Sequence, residues 1–135
     1  MSKFSTILND PGNLVIHRGG FTLSDLVKGA VECDDGAPIY MRIGNDNVPV
    51  SKIFHKKIDG LWVLFFTHYT SNTKSAVSLY HLRELSRTFL KNVPITARVK
   101  SDYAGQDYET TGFRVSLSGN RDQYDAIVIG TTTDE

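Results

Sequence analysis

Apolar side chains recur at helical spacing in two segments of the chain. The first segment follows Thr22-Leu-Ser-Asp25, which has the form of a capping box: a hydroxyl that accepts from an exposed N–H, and an acidic residue three positions later. Its apolar stripe consists of Leu23, Leu26, Val27, Ala30 and Val31. The second stripe follows Ser78 and consists of Leu79, Leu82, Leu85, Phe89 and Leu90. The spacing predicts one helix over about residues 23–33 and another that runs from Ser78 until Asn92-Val-Pro94 stops it.

Alternation of apolar and polar positions predicts strands in the rest of the chain. The segment Ile39-Tyr-Met-Arg-Ile43 alternates strictly, and further strands are predicted over 13–18, 50–57, 61–69, 95–103, 111–118 and 125–130. Asp59-Gly60 separates the strands at 50–57 and 61–69, and this dipeptide supplies the positive φ angles of a tight hairpin turn. These elements predict an α+β fold.

The two helical segments are followed by similar residues at matching distances. The pairs Thr22 and Ser78, Pro38 and Pro94, and Arg42 and Arg98 are each separated by 56 positions (78 minus 22). We therefore predict two α-β-β-β units in tandem, over about 22–69 and 78–130, in which residues 61–65 correspond to 125–129. Together they form a largely antiparallel sheet with two helices packed on one face. In the alternative interpretation, any helix-to-strand junction favours a hydroxyl cap, leucines and a proline, so common chemistry produces the match.

One strand of this sheet is apolar on both faces. Leu61-Trp-Val-Leu-Phe-Phe66 places large side chains on each side, which a sheet covered on one side only would expose to water. The second face must be covered by the N-terminal arm over 1–12, by curvature of the sheet onto itself, or by another subunit. We favour a homodimer in which Trp62, Leu64 and Phe66 contribute to the interface.

Composition narrows the class of protein. At 135 residues the chain has the size of a single domain, 1–135, and its 15 Lys and Arg balance its 15 Asp and Glu, so no global field draws it to nucleic acid. The single Cys33 excludes an intramolecular disulfide and favours a reducing compartment. No segment approaches the roughly 20 apolar residues needed to cross a bilayer. We expect a cytoplasmic protein with no membrane partner.

Catalytic and metal-binding patterns are weak in this sequence. His68-Tyr-Thr70 matches one half of the paired His-x-Ser/Thr motif of two-histidine phosphoesterases, but no other histidine is followed two residues later by a hydroxyl. This phosphodiesterase-like match is the one enzyme interpretation that we consider. Neither a glycine-rich phosphate loop nor a second cysteine is present. The sequence therefore predicts a protein that is not an enzyme and that holds no cofactor or metal.

Two surfaces remain as candidate binding sites. Arg42 and Arg98, beside Tyr40 and Thr96, should point from the non-helical face of the sheet, where an approximate dyad would bring two guanidinium groups toward a small anionic ligand. The alternative is a pair of surface arginines that bind neighbouring carboxylates. The second surface is formed by two polar loops over 101–109 and 118–124, in which extra length with tyrosine, aspartate and glycine favours recognition. Its candidate interface residues are Tyr103, Tyr108, Arg121 and Tyr124. In the alternative interpretation the two segments are ordinary connecting loops.

Three functions follow from these sites. The first is a non-catalytic interaction protein that binds and blocks a macromolecular partner, with a short accessory protein of a virus or mobile element as the expected source. The second is capture of a nucleotide-type anion at Arg42 and Arg98. The third, direct nucleic-acid binding through Lys52, Lys56 and Lys57, is the least favoured because the chain is neutral overall.

Overall fold

The computed structural model describes residues 14–16, 21–71, 74–101, 104–116 and 126–132. These residues form two α-helices, α1 (Leu23–Gly29) and α2 (Leu79–Leu85), and a 3₁₀-helix at Phe89–Asn92. The strands are β1 (Leu14–Ile16), β2 (Ile39–Ile43), β3 (Asp46–Pro49), β4 (Lys52–Ile58), β5 (Leu61–Tyr69), β6 (Ile95–Lys100), β7 (Gly105–Ser116) and β8 (Ala126–Thr131). The predicted N-terminal arm over 1–12 and the loop over 118–124 lie outside the described residues.

Both helices begin at the residues that the sequence predicts. The Asp25 backbone N–H donates to Thr22 Oγ1 at 3.3 Å, and the Thr22 N–H donates to Asp25 Oδ2 at 3.0 Å, which completes the capping box. At α2 the Ser78 N–H donates to Nδ1 of His81 at 3.1 Å, so a histidine takes the place of the acidic residue.

The helices end earlier than predicted. Residues 30–32 form a turn, and beyond α2 the hydroxyls of Ser86 and Thr88 donate to the carbonyls of Arg83 and Leu85, both at 2.7 Å. Hydroxyls that bond backbone carbonyls locally compete with the helix. The apolar stripe therefore continues through Phe89 and Leu90 on a separate 3₁₀-helix rather than on α2.

The sheet is mixed but mostly antiparallel, and the predicted α+β class is confirmed. Seven strands follow the order β3-β2-β8-β7-β6-β5-β4, with β1 paired to β7. Only β2 with β8 and β5 with β6 run parallel. The hairpin of β4 and β5 is confirmed, because Asp59 and Gly60 have φ angles of 50° and 82°, as a two-residue hairpin turn requires.

The two edge strands of the sheet approach each other at one end, so the sheet is strongly curved. Its edge strands β3 and β4 are separated by only Val50 and Ser51, a step from Pro49 to Lys52 that spans at most about 11 Å. Seven flat strands would place those edges about 29 Å apart. The Val50 N–H donates to the carbonyl of Ile39 in β2 at 3.0 Å, and the Ser51 N–H donates to the carbonyl of Thr67 in β5 at 2.8 Å. The linker therefore bonds to β2 and β5, the strands next to the two edge strands.

The curvature of the sheet gives it an inward face and an outward face. One continuous core cluster contains the inward side chains of the strands together with apolar residues of both helices, so both helices pack on the same face of the sheet. Its largest side chains include Phe21, Phe66, Phe113, Leu23, Leu26 and Met41. A Cβ at Gly29 of α1 would collide with the Phe113 ring, so only glycine fits where this helix crosses β7.

Two stretches of strand were not predicted. β3 contains Asp46-Asn-Val-Pro49, whose polar residues and proline do not read as a strand but are tolerated at a sheet edge. β7 starts at Gly105, so most of the predicted loop over 101–109 is strand, and the Ser101 N–H donates to the carbonyl of Ala104 at 2.8 Å. A register shift between Thr110 and Gly112 bends β7 as it passes from β6 to β8.

Contacts between the two halves occur at equivalent positions. Thr22 bridges Pro94 and Ser78 bridges Pro38, so each cap meets the proline that follows the other helix. The Leu64 N–H donates to the carbonyl of Pro94 at 2.9 Å, and the Ile127 N–H donates to the carbonyl of Pro38 at 3.0 Å. These registers relate Leu64 to Ile127 at an offset of 63 (127 minus 64), one residue short of the predicted alignment of 61–65 with 125–129. Duplication of one unit stays a prediction.

Candidate interaction surface

Three aromatic rings contact one another at the far end of the β4–β5 hairpin. The ring centroids of Trp62 and Phe89 lie 5.5 Å apart, and His55 lies 5.3 Å from Trp62 and 5.8 Å from Phe89. Nevertheless, 38 % of Trp62 and 59 % of Phe89 are exposed. Ile58 and Leu61 flank the hairpin turn and are also exposed. We call the three residues whose rings contact one another, His55, Trp62 and Phe89, the hairpin patch.

The register of the hairpin explains why the patch lies at its end. Leu64 and Phe66 share the inward face with Trp62, because successive side chains alternate across a strand. Both are fully buried in the core of a single chain, whereas Trp62 lies beyond the core. Its ring contacts His55 and Phe89 of the 3₁₀-helix, and the Lys57 Nζ lies 5.8 Å from its centroid. Of the three residues predicted to form a homodimer interface on this strand, the structure therefore places only Trp62 at the surface.

A groove runs from the hairpin patch along β4. Its cavity of about 500 Å³ is lined by Ile53 of β4, by Ala76 and Val77, and by His81, Glu84, Leu85 and Thr88 of α2 and the turn after it. Ile53 lies two residues from His55 on the same face, and Thr88 precedes Phe89, so the groove and the patch adjoin. The hydrogen bond from Ala76 N–H to Val50 O at 3.1 Å closes the other end.

Among the described residues, no strand lies beside the edge of β4 that borders this groove. β4 pairs with β5 along its whole length and is last in the sheet order. Within the described residues, no further backbone hydrogen bond to residues 52–58 occurs on the other side. Which strand lies at the edge of the sheet depends on long-range pairing, so the local sequence of β4 carries no signal for it.

The outward face of the same hairpin carries a second aromatic cluster. Phe54 and Phe65 stack with ring centroids 5.0 Å apart, and the Arg98 guanidinium carbon lies 4.1 Å from the Phe65 centroid. Arg98 also donates to both carboxylate oxygens of Asp107, at 2.6 and 3.0 Å. The hydrogen bond with Asp107, opposed by partial burial, raises the pKa of Arg98. Only 1 % of Phe65 is exposed, so this cluster is complete within the chain.

The two predicted anion-binding arginines do not meet within one chain. β8 and β7 lie between β2 and β6, a separation of about 14 Å across the sheet. Arg42 donates to Asn47 at 3.1 Å, and Arg98 is engaged by Asp107. Half-buried Tyr40 and Thr96 lie beside them on the outward face. Phe54, Phe65 and Asp107 were missed in the sequence, because pairing across strands brings them to Arg98.

The remaining candidates are placed as follows. Tyr108 is half-buried and packs against the core, whereas Tyr103, Arg121 and Tyr124 lie outside the described residues. His68 is buried, and its Nδ1 lies 2.9 Å from the carbonyl of Pro49, which can only accept, so this nitrogen carries the proton. The described residues contain no group of three His, Cys, Asp or Glu placed to hold a metal ion. Nor do they form a helix with the length and apolar character needed to span a bilayer.

Comparison of the chain with models of known protein families, with curated proteins and with solved structures gave no match.

Proposed function

We propose that this chain is a non-catalytic interaction protein and that the hairpin patch binds a partner protein. The observation that carries the proposal is the contact of Trp62, Phe89 and His55 with one another at an exposed site. Clustered exposed aromatic residues are typical of binding surfaces, whereas single exposed apolar residues are common everywhere.

The energetics of the patch support a binding role. An aromatic side chain buries about 150–250 Å² when it is covered, and each Å² of apolar area contributes about 25 cal/mol. The rings already hold one another in place, so a partner would cover them at little cost in side-chain entropy. Tryptophan is also among the residues that dominate measured binding energies.

The test is a comparison of matched variants in partner capture. Trp62→Ala with Phe89→Ala removes two exposed rings, and we expect it to abolish recovery of a stoichiometric partner from a lysate of the source cells. Val31→Ala is the control, because Val31 is 71 % exposed and lies outside the patch. Equal recovery by both variants would contradict the proposal. Blocking of the partner, and an accessory role in a virus or mobile element, stay predictions.

A second candidate function is the capture of a small anionic ligand. Arg98, Lys100, Gly105 and Asp107 line a cavity of about 210 Å³ on the outward side of β6 and β7. A nucleotide at 100 times its dissociation constant should stabilise the fold by about 2.7 kcal/mol. Lys100→Ala should remove that stabilisation, because Lys100 is exposed and supplies positive charge there. No thermal shift with any nucleotide would remove this candidate.

The homodimer also remains a proposal, with less to support it. Curvature covers the inward faces of Leu64 and Phe66, and Arg98 covers Phe65, so most of the apolar surface that motivated a second subunit is buried in one chain. Light scattering in dilute solution measures the mass directly. We expect a mass that falls to that of the monomer once Trp62 is replaced by alanine, if the hairpin patch holds the dimer together.

A further inference from the structure

We propose that the partner contributes an extended peptide that adds as a strand to the free edge of β4, between β4 and α2, and that this peptide alternates apolar and acidic residues. The inference rests on the proposed function, since it assigns a chemistry to the partner of the hairpin patch. Three observations carry the inference: the unpaired edge of β4, the groove that adjoins it, and the charged side chains of β4.

The unpaired edge supplies the main-chain bonds. Every second residue of β4 directs its N–H and C=O away from β5, and no described residue of the chain bonds them. An extended peptide gains affinity by pairing with such groups, and pockets for alternate side chains provide specificity.

The groove accommodates the inward side chains of the added strand. Side chains directly opposite each other on paired strands share a face, so peptide residues beside Ile53 and His55 would point inward. There they would meet Val77 and Leu85, which line the groove with Ile53. Its polar lining residues are His81, Glu84 and Thr88, and Glu84 is paired with Arg87 at 3.4 Å. Apolar peptide side chains therefore fit this face.

The outward face of β4 selects acidic residues. Lys52 and Lys56 point outward on either side of Phe54, both are exposed, and β4 contains no acidic residue. Peptide residues opposite these lysines would be stabilised by opposite charge. The same lysines disfavour a second copy of this chain, since two β4 strands side by side would bring like charges together.

The test uses one synthetic peptide and the full chain. The probe is a capped peptide of alternating glutamate and valine residues, followed by fluorescence of the single Trp62 and by amide hydrogen exchange. We expect saturable binding that slows exchange at β4 and changes the Trp62 signal. A peptide with N-methyl groups on alternate amides should bind about tenfold more weakly or worse, since strand pairing requires those N–H groups.

A charge exchange provides the matched control. Lys52→Glu with Lys56→Glu changes two exposed side chains, so the fold should be retained. We expect this variant to bind the glutamate peptide about tenfold more weakly and to bind a peptide of alternating lysine and valine instead. The proposal would be overturned if the N-methylated peptide bound as tightly as the unmodified one. It would also be overturned if the double glutamate variant did not prefer the lysine peptide to the glutamate peptide.

Other occupants give different results, each of which contradicts the proposal. Slow exchange, before any peptide is added, at those β4 amides that point away from β5 would mean that the edge is already paired, by this chain or by a second copy. Tighter binding of an oligothymidylate than of the glutamate peptide would indicate nucleic acid. If the peptide does not bind but the Trp62→Ala, Phe89→Ala variant still loses its captured partner, strand addition is wrong and the proposed function stands.

Discussion

The β4–β5 hairpin carries an aromatic cluster on each face, and the two differ in how far they are exposed to solvent. On the outward face, Phe65 is covered by Phe54 and by Arg98, which Asp107 holds in place. On the inward face, Trp62 and Phe89 extend past the core and remain largely exposed. Aromatic content is therefore not itself a sign of a binding site. The informative feature is an aromatic cluster that stays exposed although a charged side chain of the chain itself, Lys57, lies over one of its rings.

The largest expected loss of stability comes from a substitution in the covered outward cluster. Phe65→Ala should lower the free energy of unfolding by about 3–5 kcal/mol, because it removes a fully buried ring. Urea denaturation measures this directly. A loss under about 1 kcal/mol would mean that Phe65 is exposed in solution, and the contrast between the two clusters would disappear.

An intermediate effect is expected at the side chain that covers Phe65. Arg98→Ala should cost about 1–2 kcal/mol, since it removes ring contacts and a partly exposed ion pair. Arg98→Lys should recover only part of this loss, because an ammonium group lacks the planar fork that bonds both oxygens of Asp107. Full recovery in the lysine variant would show that charge alone matters, contrary to the stacked geometry.

The smallest effect on stability belongs to the exposed cluster. Trp62→Ala should change the free energy of unfolding by about 1 kcal/mol or less, because this ring contacts only neighbours at the surface. The same substitution should have the largest effect on partner capture. A destabilisation equal to that of Phe65→Ala would identify Trp62 as a structural residue and remove the basis of the interaction surface.

The local elements could be predicted from the sequence, whereas the order of the strands and the curvature of the sheet could not. Thr22 and Asp25 set the start of α1 and Asp59-Gly60 sets the hairpin, because both depend on residues adjacent in the chain. Which strands become edges depends on long-range pairing, such as the bonds of Val50 and Ser51 to different strands. For this reason the sequence alone groups Trp62, Leu64 and Phe66 in one interface, although Leu64 and Phe66 are buried in the core.

The anion site shows the same limit. Arg42 and Arg98 match in sequence, but their strands are separated by β8 and β7, and no pattern within either strand reveals that distance. The unpaired edge of β4 is equally invisible in its sequence. In the sequence its lysines are a weak sign of nucleic-acid binding, and their relevance to an acidic strand follows only from the position of β4 at the edge of the described sheet.

The most direct test of the interaction surface is acrylamide quenching of the single tryptophan, Trp62, in the free protein and with its captured partner. We expect Trp62 to be readily quenched in the dilute free protein and to be protected by the partner. A tryptophan that is already shielded in dilute free protein, or that stays equally accessible in the complex, would contradict the assignment of the hairpin patch as the binding surface.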